Sequence, residues 1–178
     1  GISGNKTEDS QGGWDNWVVK LDASGDILWQ NTIGGSSLEE LTYLELASDG
    51  GFLIGCTSSS GISGDKNEVN YGISDYWVIK LDASGNILWQ NTIGGIGDDF
   101  FSTVVNTSDG GYFIAGQSAS GLSGDKTDEG LATDYWVLKL DISGNILWQN
   151  SIGGTAGERL YGAEQTIDGG YIIGGISY

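Results

Sequence analysis

Short runs of alternating apolar and polar residues follow one another along the chain, each closed by Gly, Ser, Asn or Asp. Trp77–Leu81 reads WVIKL and Ile87–Ile93 reads ILWQNTI, joined by the turn DASGN. Phe101–Thr107 reads FSTVVNT and Tyr112–Gln117 reads YFIAGQ, joined by SDGG. Runs this short, rich in β-branched and aromatic residues, predict β-strands, and no segment carries a helical period of useful length. The glycines of the turns suit positive φ. Matching runs open at Trp17 and Trp136, and cover Leu41–Ala47, Leu160–Thr166, Phe52–Thr57 and Tyr171–Ile176.

These runs belong to a repeat. KLDASGDILWQNTIGG (Lys20–Gly35), KLDASGNILWQNTIGG (Lys80–Gly95) and KLDISGNILWQNSIGG (Lys139–Gly154) share 13 of 16 positions and start 60 and 59 residues apart. The DGG turns at Asp49, Asp109 and Asp168 recur with the same spacing, as do SGNK, SGDK and SGDK ending at Lys6, Lys66 and Lys126. The chain is read as one repeat module over 1–178, with units at approximately 1–60, 61–120 and 121–178. Four strands in about 60 residues predict an all-β fold of β-propeller-type blades, with a β-solenoid as the runner-up. The chain starts in a long loop, runs two strands, then two complete blades, and ends after two strands. The expectation is therefore a half-blade at each end. Three blades are too few to close a ring, so the reading implies self-association through the half-blades or a longer propeller. Open edges would otherwise favour filament growth.

The string SG-x-K…DYWV-x-KLD-x-SGNILWQN-x-IGG…DGGY-x-I-x-G resembles a tandem repeat of bacterial secreted and surface proteins that often carry a C-terminal sorting domain. The resemblance covers essentially the whole chain, three times over. It implies an extracellular or cell-surface location, a propeller-like module and a non-catalytic scaffold role.

Composition narrows the function further. The chain has no His and one Cys, which removes zinc fingers, Ser-His-Asp triads, Cys-His dyads and any disulfide within one chain. A net charge of −17 argues against nucleic acid and anionic membranes as partners. No apolar run approaches the length of a membrane span. The absence of an initiating Met and of a visible leader reads as a mature or trimmed segment.

Alternate turns of a meander lie at opposite ends of its strands, so the long loop and the IGG link should share one face. That face collects 15 of the 24 acidic residues. Loops on a rigid scaffold carry sites, so three readings of it are weighed. Carboxylates and amides of Asp65, Asn67, Glu68, Asp75, Asp125, Asp128, Glu129 and Asp134 suit calcium, against the reading of a solvated acidic loop in which Asp75 or Asp134 caps a turn. The unrepeated aromatics Trp14, Tyr43, Tyr71 and Phe100, with Asp98 and Asp99, suit a glycan, surface-protein or lectin-like site assembled from several chains. A glycosidase-like acid pair is the weakest reading, because near-identical repeats make like environments, whereas catalysis needs unlike ones. The chain is therefore expected not to be an enzyme. The repeated Trp17, Trp29, Trp77, Trp89, Trp136 and Trp148 are assigned to blade-to-blade core. Lys20, Lys80 and Lys139 are expected to pair with Asp22, Asp82 and Asp141. Cys56 is aligned with Ala115 and Gly174 as a small buried residue.

Overall fold

The computed structural model describes residues 1–178 apart from the side chain of Thr42. It consists of antiparallel strands: β1 Asn16–Leu21, β2 Ile27–Ile33, β3 Glu39–Leu46, β4 Phe52–Ser58, β5 Asp75–Leu81, β6 Ile87–Ile93, β7 Asp99–Asn106, β8 Tyr112–Ser118, β9 Asp134–Leu140, β10 Ile146–Ile152, β11 Glu158–Gln165 and β12 Tyr171–Ser177. Among the described residues no helix forms. The strands make four sheets: β1-β2, β3-β4-β5-β6, β7-β8-β9-β10 and β11-β12. Both four-stranded sheets are simple meanders, and a two-stranded sheet stands at each end of the series.

The turns explain the hairpins. In each DASGD or D-x-SGN turn the Asp accepts two backbone N–H bonds, as Asp82 does from Ser84 and Asn86 at 2.8 and 2.9 Å. The following glycine then takes φ near +88° at Gly25 and Gly85, which only glycine adopts without strain. A register shift recurs at the same point of every hairpin, between Lys20/Leu21, Lys80/Leu81 and Ile146/Trp148. Such bulges increase local twist.

Alternation along the strands gives every inner sheet two apolar faces. Val18 and Ile33 of the first sheet pack against Ile54, Cys56, Trp77, Ile79 and Leu81 of the second. The opposite face of the second sheet, with Tyr76, Val78 and Leu53, meets Ile114, Trp136, Leu138 and Leu140 of the third. Phe113, Ala115 and Val137 then meet Leu160 of the fourth, with Tyr171 and Ile173 beside it. Strand β7 also contacts both β3 and β11, so the first strands of successive sheets line up side by side.

Three expectations need correction. Trp77 and Trp136 are fully buried, and Trp29 and Trp89 pack on the core, but Trp17 is 44% and Trp148 42% exposed. Trp17 points away from the second sheet, where no further sheet covers it. Trp148 packs on Phe113 of its own sheet and on Tyr171 of the fourth sheet, which is two-stranded. The lysines do not pair with Asp22, Asp82 and Asp141, which are occupied in their own turns. Lys80 instead bridges to Asp49 at 2.8 Å and Lys139 to Asp109 at 3.0 Å, across to the DGG turn of the same sheet. Lys20 lies over the Phe52 ring and donates to the Ala83 carbonyl at 3.3 Å. Finally, Cys56 pairs with Trp77 while Gly116 pairs with Trp136, so its counterparts are Gly116 and Gly175, not Ala115 and Gly174.

Candidate functional site

The long loops are clamped to the strands by the same polar set in each unit. A hairpin closes at Ser3/Lys6, Ser63/Lys66 and Ser123/Lys126. Its lysine turns inward. Lys66 lies 5.7 Å from the Trp77 ring centre and donates to Thr92 Oγ1 and, at 2.8 Å, to the Glu68 carbonyl. Lys126 lies over Trp136 at 5.1 Å and donates to Ser151 Oγ at 2.7 Å. Burial pushes both ammonium groups below their usual range, against the pull of nearby carboxylates.

Gln30, Gln90 and Gln149 form the second part of the clamp. Each accepts the indole N–H of Trp17, Trp77 or Trp136 at 3.0–3.1 Å. Each also donates to a loop carbonyl, that of Asn5, Asp65 or Asp125, at 2.7–2.8 Å. The sequence reading passed over these glutamines. The signal was present: the same amide recurs beside Trp in all three copies of LWQN.

The eight residues considered for calcium are dispersed. Among the described residues no group of three or more His, Cys, Asp or Glu is placed to hold a metal ion. Most of these carboxylates instead accept backbone N–H groups. Glu68 accepts from Thr92 at 2.6 Å, Asp128 from Ser151 at 2.9 Å, Asp75 from Tyr71 at 2.6 Å and Asp134 from Leu131 at 2.9 Å. Asp65 and Asp125 accept from Gly34 and Gly94 at 3.2 and 3.3 Å. Asn67 donates its own N–H to Gln90, and Glu129 is exposed.

Burial and charge crowding strain some of these acids. Asp75 is fully buried and its carboxyl is pushed up to about 6, first by loss of water and further by Asp99. Asp99 is also buried and raised, mainly by burial, while bonds from Gly95 and Ser120 pull it back. One oxygen of each of Asp15, Asp75, Asp99 and Asp134 is buried without a hydrogen-bond partner.

The six residues considered for glycan fall at separate places. Tyr71 lines a groove of about 530 Å³ with Glu68, Asn91, Asp125 and Asn145. An equivalent groove of about 390 Å³, with Glu8, Gln11, Asn31, Asp65 and Asn86, lies one unit earlier. Tyr43 instead faces Tyr161 and Ile172, and Phe100 stands with Gln117 and Arg159. Asp99 is buried, Asp98 half-buried, and Trp14 is exposed on a loop. Tyr43 and Phe100 ride on the first strands of their sheets, whereas Trp14 and Tyr71 ride on the long loops, which separates them. No protein-family model matches the chain. No curated protein matches it either.

Proposed function

We propose that this chain is a propeller-type blade array whose role is structural and adhesive, a rigid non-enzymatic scaffold that presents an acidic loop face outside the cell. The carrying observation is that the polar residues repeated in all three units are engaged in the fold. Lysine, to Thr32, Thr92 or Ser151, together with glutamine and a carboxylate ties each long loop onto the strands beneath it. Meander sheets stacked face to face, with first strands side by side, support the blade reading. The extracellular placement rests on the repeat's resemblance to those of bacterial surface proteins.

The test is Gln90→Ala. Removing the amide leaves the Trp77 indole N–H without its acceptor, a loss of about 1–3 kcal/mol. In a chain of 178 residues this lowers the melting temperature by roughly 3–8 °C. Glycan arrays of the wild type and of Gln90→Ala run in parallel. Loss of glycan binding in Gln90→Ala with unchanged melting would overturn the structural role in favour of a lectin.

A further inference from the structure

Within residues 1–178, β1 and β12 are edge strands of the two terminal sheets, and the two edges are complementary in detail. In the second sheet β4 pairs with β5, with Phe52 opposite Leu81, Cys56 opposite Trp77 and Ser58 opposite Asp75. In the third sheet β8 pairs with β9 in the same register, Tyr112 opposite Leu140, Gly116 opposite Trp136 and Ser118 opposite Asp134. Strand β12 is the repeat counterpart of β4 and β8 and pairs with β11, and β1 is the counterpart of β5 and β9 and pairs with β2.

Side chains on these edges and faces are bare where their counterparts are buried. Leu21 is 53% exposed, whereas Leu81 and Leu140 are fully buried. Ile172 is 63% exposed, against Leu53 and Phe113, which are buried at the same place. Leu41 and Leu44 on β3 are exposed, whereas Phe101 and Val104, their counterparts on β7, are covered by the preceding sheet.

The charges match as well. Two of the three repeated lysines bridge to the Asp of a DGG turn within their own sheet, Lys80 to Asp49 and Lys139 to Asp109. The third lysine, Lys20, and the third aspartate, Asp168, stand on different sheets at opposite ends of the series. Among the described residues Lys20 donates to the Ala83 carbonyl and lies over the Phe52 ring, and Asp168 accepts within its own turn.

We propose that two copies of this chain pair reciprocally, β12 of each beside β1 of the other. The register sets Tyr171 opposite Leu21, Gly175 opposite Trp17 and Ser177 opposite Asp15, with Lys20 of one copy bridging Asp168 of the other. The pairing completes two further four-stranded sheets. It also covers Leu41 and Leu44 with the β11-β12 sheet of the second copy, as β7 is covered by the second sheet. The inference rests on the blade reading above. Two chains of −17 repel each other, so salt should strengthen the pair.

The experiment is solution mass by light scattering at several protein and salt concentrations, with charge-swap variants. The wild type should give about 37 kDa, twice the 18.7 kDa chain. Lys20→Glu and Asp168→Lys should each weaken the pair at least tenfold, and the double variant Lys20→Glu/Asp168→Lys should restore it. Ile172→Glu, a change at an exposed position of the single chain, should give 18.7 kDa with unchanged β-sheet circular dichroism. A wild-type monomer with intact melting overturns the pairing and leaves the structural role of Gln90 untouched. A larger ring or polymer that still obeys the charge swap keeps the strand register and overturns the two-copy closure. Assembly indifferent to all three substitutions overturns the register itself.

Discussion

Replacing Asp75 with Asn should flatten the pH dependence of stability between pH 5 and pH 8. Asp75 is fully buried, keeps one oxygen on the Tyr71 N–H and leaves the other without a partner. Lys66 and Asp99 are the charged groups that act on it, and the shift upward shows that burial and Asp99 outweigh Lys66. The folded value of about 6 lies above the ordinary 3.8, so the folded state holds this proton more tightly than the unfolded chain. Stability from this group is complete below the unfolded value and is lost as pH rises through about 6. The full shift corresponds to about 3 kcal/mol, of which about 1.4 kcal/mol falls between pH 5 and pH 8. Asn still accepts the Tyr71 bond and carries no charge. The stability of Asp75→Asn minus that of the wild type should therefore rise by about 1.4 kcal/mol from pH 5 to pH 8. Relief of Asp99 in the variant acts in the same direction. Urea denaturation at half-unit pH steps reads the difference, and any fixed penalty of the new amide cancels from the slope. Parallel curves for the two proteins would refute the reasoning.

Two further outcomes follow from the packing. Asn16 donates to Cys56 Sγ at 3.4 Å, at a place where Tyr76 and Tyr135 reach over Gly116 and Gly175. Asn16→Tyr alone should overpack against the thiol and cost about 1–3 kcal/mol, and Cys56→Gly should recover most of that in the double variant; additive losses in urea denaturation would count against this complementarity. Lys139 is buried and donates to the Leu140 carbonyl at 2.9 Å, whereas its partner Asp109 is largely exposed. Lys139→Ala should cost about 1–3 kcal/mol and Asp109→Asn less than about 1 kcal/mol, and the opposite order in thermal melts would show that the ion pair outweighs the buried carbonyl bond.

The strands were legible because alternation and turn residues are local signals. Ile87–Ile93 has the expected bounds, and Phe101–Thr107 differs from the observed strand mainly by starting two residues late, at a bulge between Phe101 and Thr103. Pairing across the tight turns followed from their short length, and pairing of β4 with β5 and of β8 with β9, across the long loops, followed from the four-strand repeat. What escaped were relations between strands distant in sequence. The partner of Lys80 is a turn 31 residues earlier, and only the folded register brings it within reach. The same holds for the acids of the long loops. Composition marks them as ligands in waiting, but Glu68 closes on a backbone amide 24 residues away. Trp17 and Trp148 show the limit from the other side: identical words in the sequence take different solvent exposure when the neighbouring sheet differs.

A chain that writes nearly the same hairpin three times runs a particular folding risk. KLDASGNILWQNTIGG and its copies are close to interchangeable, so a hairpin docking one unit too early or too late would lose few local contacts. The Asn16–Cys56 contact works against that error at the first junction. A slip that brought Tyr76 over Cys56 would drive a phenol ring into a thiol, and one that brought Asn16 over Gly116 would leave a hollow. This unrepeated contact therefore acts as an address, telling the first hairpin which neighbour is its own.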